Sequence, residues 1–292
     1  MSSNVSFINF GIFKRNNIMT TTYRPAEVLK PYVAYYYSIK WERCNYKDGI
    51  YELLLPSGMC FMSFQLTGRF TGIIDNKKIK PKKYYTMGQQ TDKYIMYTAD
   101  DVIELEGAAF TPTGLYHLFG CNMVNLVNNP INTQLLIKDL RGGFTREYKS
   151  EIDTKNRINL IENLLINQTQ KHFSKANIID TAIAIIRKYK GCWSVKQITD
   201  KLNVSERYFQ KMFKLMIGIT PSTYNRIIRF NCLFAEMKSV SPQDYNTLSS
   251  LYYYFDFAHF SKDFKKYCGE SPTKFNIEQF HFLKENWVDK YL

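Results

Sequence analysis

A chain of 292 residues is long enough for two domains of ordinary size, and a hydrophobic content of 45% supplies their cores. No apolar run approaches the roughly 18 residues of a membrane span, and the first 20 residues lack a basic head followed by a long apolar stretch, so neither a membrane protein nor a secretory leader is expected. The net charge of +13 is denser toward the C-terminus, where residues 171–292 hold 19 Lys and Arg against 11 Asp and Glu, which suits a polyanionic partner such as nucleic acid.

In chain order, residues 1–20 read as an extension. Residues 21–144 read as a β-rich sensor or dimerisation domain, because short β-branched and aromatic runs (59–66, 69–74, 93–98, 105–110) alternate with Gly, Pro, Asp and Asn. Two apolar stretches, 25–36 and 114–119, are the helical exceptions. In the helical bridge and linker, 145–174, Ile158, Ile161, Leu164 and Leu165 recur at helical spacing, and the polar QTQKHFSKAN of 168–177 is the linker. Residues 175–276 read as an all-α unit able to fold alone, and 277–292 as a tail. The fold class is thus α+β, with a β-rich N-terminal domain followed by helices.

Chemistry-bearing clusters are sparse. The cysteines at 44, 60, 121, 192, 232 and 268 are dispersed, which suits reduced thiols in a cytoplasmic protein. The histidines at 117, 172, 259 and 281 are too scattered for a metal site. His117 reads as a partly exposed helix residue. No catalytic residue, metal or cofactor is expected.

The all-α unit repeats itself. SERYFQKMFKLMIGITPSTY (205–224) aligns with DFAHFSKDFKKYCGESPTKF (256–275) at an offset of 51, matching Phe209 with Phe260, Lys211 with Lys262, Phe213 with Phe264, Lys214 with Lys265, Gly218 with Gly269 and Pro221 with Pro272. In the first copy Val195, Ile198 and Leu202 form a short helix and Asn203-Val204 a turn. Ser205 caps the next helix, whose stripe of Phe209, Met212, Phe213 and Met216 faces inward and leaves Arg207, Gln210, Lys211 and Lys214 outside. Gly218 stops that helix, and Thr220-Pro221 starts another running to about 237. The second copy has Leu248 and Leu251 on its short helix, Asp256 as cap, and Phe260, Phe264 and Tyr267 inward. His259, Lys262, Lys265 and Lys266 stay outside. A short helix, a tight turn and a helix with a basic outer face make a helix-turn-helix. A plain helical bundle with solvated lysines would have to produce this pattern twice.

Ser205-x-Arg207-x-Phe209-x-Lys211-x-Phe213-Lys214, Gly218-x-Thr220-Pro221 and His259-Phe260-Ser261-Lys262-x-Phe264-Lys265-x-x-x-Gly269-x-Ser271-Pro272 together resemble the AraC/XylS family of bacterial transcription regulators over about 178–276. The joining helix places Arg229 where that family usually has an arginine, and the resemblance counts Arg229 among the DNA-binding residues. The resemblance implies a sequence-specific regulator that inserts two helices in successive major grooves of double-stranded DNA. Ser205, Arg207, Tyr208, Gln210, Lys211 and Lys214 would then contact DNA from the first motif. Phe257, Ala258, His259, Lys262 and Lys265 would do so from the second. Arg207, Gln210 and Lys211 are the base-facing set, while Tyr208 and Lys214 suit sugar and phosphate. The chain departs from the family where lysine replaces the commoner arginine at 211 and 262, losing bidentate recognition of guanine. It departs again at Tyr253, where the family has Gly. A tyrosine pays to adopt positive φ, so this turn is expected to be built differently.

The segment 110–114 (FTPTG), with Tyr23-Arg24-Pro25 and Pro31-Tyr32-Val33, resembles a less characterised type of AraC-associated N-terminal domain. That resemblance implies an effector-binding or dimerising unit, with a cupin-like barrel as one form it takes. A small-molecule effector, a homodimer and RNA polymerase are the further partners it implies. Two alternatives stand beside this reading: a protein-interaction regulator with weakened DNA binding, and a DNA-repair methyl acceptor using Cys44, Cys60 or Cys121.

Overall fold

The computed structural model describes residues 9–15, 18–43, 49–140, 143–171 and 177–286. The N-terminal half is built on two antiparallel sheets. The larger contains β1 (Asn9–Arg15), β2 (Ile18–Tyr23), β3 (Val33–Glu42), β5 (Cys60–Thr67), β8 (Tyr84–Met87), β10 (Val102–Phe110) and β11 (Ile131–Asn132), in the order β1-β2-β3-β10-β5-β8-β11. The smaller contains β4 (Ile50–Leu54), β6 (Thr71–Ile74), β7 (Lys77–Ile79) and β9 (Tyr94–Thr98), in the order β4-β9-β6-β7. Each strand run expected from the sequence is present. The barrel is not, because among the described residues the two sheets remain separate and face each other through side chains such as Trp41, Ile50, Tyr94 and Met96. Alternating inward residues are the common signature of a closed barrel and of two facing sheets, so the pattern could not tell them apart.

Two other expectations are corrected. The extension expected over 1–20 contains β1 and part of β2, a hairpin that adds β2 to the edge of β3. Residues 1–8 lie outside the described residues. The helix expected at 25–36 is only a 3-10 turn, Glu27–Leu29, after which Val33 to Tyr36 enter β3. Pro31 breaks the helical run, and the aromatic residues after it are covered on both faces of the sheet, where β propensity wins. The segments 31–33 and 110–114 meet in space: Thr111 donates from its backbone N–H to the Tyr32 carbonyl (2.9 Å) and from its hydroxyl to the Pro31 carbonyl (2.9 Å).

α1 (Gly114–Phe119) forms where the sequence places it. The bridge is two helices, α2 (Gly143–Ser150) and α3 (Thr154–Lys171), separated by an acidic corner whose Asp153 accepts from the Asn156 backbone N–H (2.9 Å). Its predicted apolar stripe is buried, and Ile158, Ile161 and Leu165 are fully enclosed. The bridge belongs to the β domain. Fully buried Glu106 of β10 receives hydrogen bonds from Arg157 Nη2 (2.6 Å) and Nε (2.9 Å) and from the Tyr148 hydroxyl (2.9 Å), so its charge is paired inside the protein. The polar linker is shorter than expected at its start, since α3 extends to Lys171. Residues 172–176 of it lie outside the described residues.

The C-terminal half is helical: α4 (Ile178–Lys188), α5 (Val195–Leu202), α6 (Glu206–Ile217), α7 (Pro221–Met237), α8 (Tyr245–Leu251), α9 (Phe257–Cys268) and α10 (His281–Asn286). It is docked firmly on the β domain. Leu53, Leu55 and Ile95 belong to the same apolar cluster as Phe213, Tyr224 and Phe264. Asn231 Nδ2 donates to the Pro56 carbonyl (2.9 Å). His117, expected to be partly exposed, is buried on α1 and reaches across to Asp180 of α4 (Nε2 to Oδ2, 3.0 Å). Thr113 Oγ1 donates to the same carboxylate (2.6 Å), which also closes the capping box of α4. Burial alone would raise the Asp180 carboxyl, but the hydrogen bonds from His117, Thr113 and the Asn177 N–H outweigh it and hold the group below its ordinary value.

Candidate nucleic-acid interface

The first motif follows from its caps. Ser194 and Gln197 form a capping box at the start of α5, and Asn203 ends it in a left-handed conformation (φ 53°). Ser205 accepts from the Tyr208 N–H and starts α6, which Gly218 ends at φ 94°. Thr220 then caps α7 with Pro221 at its first position. Phe209, Phe213 and Met216 are fully buried on α6, and Met212 is half-buried. The opposite face carries Arg207, Tyr208, Gln210, Lys211 and Lys214, all exposed, together with the cap Ser205. Five donors of four kinds thus stand on one uncovered helical face, the arrangement that reading base edges and gripping phosphates requires.

The second motif repeats this with its own variations. Asp256 accepts from the His259 N–H (2.6 Å) to cap α9, and Gly269 closes it at φ 90°, the counterpart of Gly218. Phe260, Phe264 and Tyr267 are buried. Ala258, His259, Lys262 and Lys265 are exposed, whereas Phe257 is half-buried and packs on Phe260 at 5.9 Å. The His259 ring lies edge-on to buried Tyr254 at 5.2 Å. Lys266 turns toward the β domain, 3.4 Å from Asp92.

The turn between α8 and α9 departs from expectation in an instructive way. Tyr253 does take the left-handed conformation, at φ 56°. The turn is also built differently, since two residues separate Tyr253 from the α9 cap Asp256, against one between Asn203 and the α6 cap Ser205. Leu248 is buried, but Leu251 is 68% exposed beside Tyr253 (75%) and Phe255 (91%). Tyr252 and Tyr254 are buried, so the aromatic run alternates between core and surface. The exposed members form an apolar patch that sequence periodicity missed, because the turn has neither a helical nor a strand period.

Arg229 sits on α7 with its guanidinium 4.3 Å from the centre of the Tyr254 ring. The Tyr254 hydroxyl is bonded to Asp263 of α9 (3.3 Å), and Arg226 approaches the same carboxylate at 3.8 Å. Burial pushes Asp263 up, ahead of the opposing pull of Arg226. Arg229 is therefore engaged in fixing the second motif against the joining helix. Its partner Tyr254 lies 25 residues away in sequence, and no local motif announces it.

The two copies, the joining helix and the exposed faces fit the matched family. Residues 198–276 match the family model described as a helix-turn-helix domain. The C-terminal region is an AraC-type helix-turn-helix domain. Upstream of it, residues 21–132 match the family described as a domain of unknown function (DUF6597). A Haemophilus influenzae protein described as an uncharacterized HTH-type transcriptional regulator is 23% identical over 168 residues, covering 52% of this chain. The chain spans about half the length (54%) of that curated relative. Among solved structures, ToxT from Vibrio cholerae aligns at 10% identity over 84% of this chain and 99% of its own, with a TM-score of 0.46. The AraC-like transcriptional activator CuxR aligns at 12% identity over 84% and 88%, with a TM-score of 0.25.

Among the described residues the thiols are shifted away from the reactive thiolate form. Burial raises Cys60, Cys121, Cys192 and Cys268 above the ordinary thiol range and Cys232 to about 11. A methyl acceptor needs the reverse shift. Cys44 lies outside the described residues. Among the described residues no group of three or more His, Cys, Asp or Glu is placed to hold a metal ion, and no helix is long and apolar enough to cross a membrane.

Proposed function

We propose that the protein is a sequence-specific transcription regulator that sets α6 and α9 into two successive major grooves of double-stranded DNA. The observation that carries this reading is the pair of capped helices, each with its aromatic stripe buried and its basic and amide groups uncovered on the opposite face. The joining helix α7, with 17 residues, is about 25 Å long at 1.5 Å per residue, which suits holding two recognition helices near one DNA turn apart. Arg207, Gln210 and Lys211 read bases, with Ser205, Tyr208 and Lys214 on the backbone. Ala258 and Phe257 offer at most apolar contact to thymine methyls, so His259 and Lys262 carry what reading the second motif does, Lys265 grips phosphate, and discrimination falls mainly on the first motif. Arg229 supports this arrangement from behind. In this reading the protein works in the cytoplasm, the β domain is an effector-binding or dimerising unit, and RNA polymerase is the partner of the bound complex.

The test is selection of binding sites from fragments of its own genome, followed by affinity measurements over a salt series. Log affinity is expected to fall with log salt by about 0.9 per phosphate neutralised. A slope near zero, or no enriched sequence, would overturn the reading. The exposed patch of Leu251, Tyr253 and Phe255 favours one competitor, a protein-interaction regulator. In that case a protein partner is captured and DNA is not.

A further inference from the structure

The joining helix gives each recognition helix one attachment. α6 packs on the first half of α7 through Phe213 on Tyr224 (5.7 Å), and α9 on the second half through Phe264 on Phe230 (5.8 Å). Stripe packing of this kind prefers a crossing angle only to within about 15–20°. Over the 12 residues of α6, about 18 Å of helix, that leaves the far end free by about 5 Å. Two helices that must enter two grooves in register need tighter control, because the spacing of half-sites on DNA is set by the geometry of the protein.

The β domain supplies a second attachment at the far end of each helix. Gly218 and Gly269, the equivalent positions of the two copies, both abut it. A side chain at Gly218 would meet the Met123 carbonyl oxygen at 2.6 Å and Val127 Cγ2 at 2.8 Å, so the end of α6 lies directly on the 3-10 turn Met123–Leu126. A side chain at Gly269 would begin 3.2 Å from Lys93 Nζ. The Lys93 ammonium thus stands at the C-terminal end of α9, where the helix dipole favours a cation. One turn back, Lys266 reaches Asp92 at 3.4 Å.

The two β-domain segments that touch these ends are tied to each other, and Asn128 is the knot. Its Oδ1 accepts from the Thr91 N–H (3.0 Å), its Nδ2 donates to Thr91 Oγ1 (2.7 Å), and its own N–H donates to the Gln89 carbonyl (3.0 Å). The left-handed backbone of Asn128 (φ 53°) is a conformation that asparagine tolerates better than most residues. Gly88 adds a bond from its N–H to the Leu126 carbonyl (3.0 Å). The same unit also reaches the joining helix. The Gly58 carbonyl accepts from Gln89 Nε2 (3.2 Å) and from the Tyr224 hydroxyl of α7 (3.4 Å). One hydrogen-bonded unit therefore meets the end of α6, the end of α9 and the helix between them.

We propose that this unit, residues 88–93 bound to 122–128, sets the distance and rotation between the two recognition helices, so that the β domain fixes which half-site spacing the chain accepts. Asp92, Lys93 and Asn128 are positioning residues: they touch no DNA and act through α6 and α9. The inference goes beyond the reading of α6 and α9 as DNA-reading helices and rests on it.

The experiment uses the full chain and a DNA site selected by it, alongside copies of that site with one base pair inserted or removed between the segments read by α6 and α9. One base pair moves the second segment by about 3.4 Å and turns it by about 35°. The native chain is expected to lose about a hundredfold in affinity on either altered site, as if two base contacts were lost. Asp92→Ala/Lys93→Ala frees the end of α9, and both side chains are partly exposed, so the fold is expected to stand. Asn128→Ala unties the two segments and acts on both ends. In each variant the penalty for altered spacing is expected to fall below about tenfold, a shift of the order of magnitude of one base contact. The penalty is a ratio of affinities within one protein, so a general loss of stability or of positive charge leaves it unmoved. Melting temperatures identify a variant that fails to fold, and the surface pair then carries the test. A native chain indifferent to spacing, or a penalty unchanged in the folded variants, overturns the proposal while the DNA-binding reading stands. Failure to enrich any DNA sequence overturns that reading and the proposal with it.

Discussion

Arg207 and Lys214 stand on the same exposed face of α6 but two turns apart, and the difference in position gives them different work. Arg207 lies in the first turn, at the end that leads into a groove, and a guanidinium there can fork onto a guanine edge. Lys214 lies in the last turn, where a point charge suits phosphate. Neither side chain is buried, so replacing either by Ala should leave the fold intact. Arg207→Ala is expected to cost about 1–3 kcal/mol on a selected site and much less on random DNA. Lys214→Ala is expected to weaken both about equally and to lower the salt slope by about one. The ratio of the two affinities, measured for both variants at one salt concentration, checks the assignment. An unchanged ratio in Arg207→Ala would move the reading to Gln210, to the second motif or to DNA shape. These exposed positions were legible in the sequence because the Phe209/Phe213 stripe fixes the phase of the whole helix. His117 and Arg229 were not, because what defines each is a partner on another element: Asp180 for the one, Tyr254 for the other.

The elements with explicit start and stop chemistry were the most legible. Ser205 to Gly218 and Thr220-Pro221 bound α6 and α7 in the structure where the sequence places them. The stretch 25–36 misled because its apolar residues satisfy a helical period, while Pro31 and the neighbouring strands decide otherwise. The turn into α9 is the telling case. Left-handed backbone is costly for a bulky side chain, on the order of 1–2 kcal/mol, yet Tyr253 adopts it with its ring largely in solvent. The ring therefore gives little back to the fold. Tyr253→Gly should relieve the strain, against which stands the extra freedom of glycine in the unfolded chain, for a net gain of up to about 1 kcal/mol. Denaturant unfolding of the two proteins measures it. A loss of stability instead would mean that the ring packs in solution. A gain accompanied by weaker binding of DNA or of a protein partner would show that the strain is retained for that contact.

On the scale of the molecule, the division into a β domain and a helical domain was legible from the change of period, but their union was not. Sequence periodicity assigns each apolar face to its own element and cannot say which face meets which. In the structure the apolar core runs across the boundary: Leu53, Leu55 and Ile95 share a cluster with α6, α7 and α9. The backbone carbonyls of Pro56 and Gly58 accept from Asn231 and Tyr224 of α7. At about 1.5–3 kcal/mol for each large apolar side chain buried, such an interface contributes several kcal/mol to either half. The halves are therefore expected to unfold together, in one calorimetric transition whose far-UV and near-UV signals coincide. A fragment covering residues 177–286 would expose the face of α7 that now covers Pro56 and Gly58, and would leave Asp180 without His117 and Thr113. A loss of at least ~2 kcal/mol lowers the melting temperature of a domain this size by roughly 10 °C. Two separated transitions in the whole chain, or a fragment as stable as its parent, would mean that the halves are merely tethered. A single transition instead makes the β domain a structural determinant of the DNA-binding helices, since any change in its packing then reaches α6 and α9 through shared side chains.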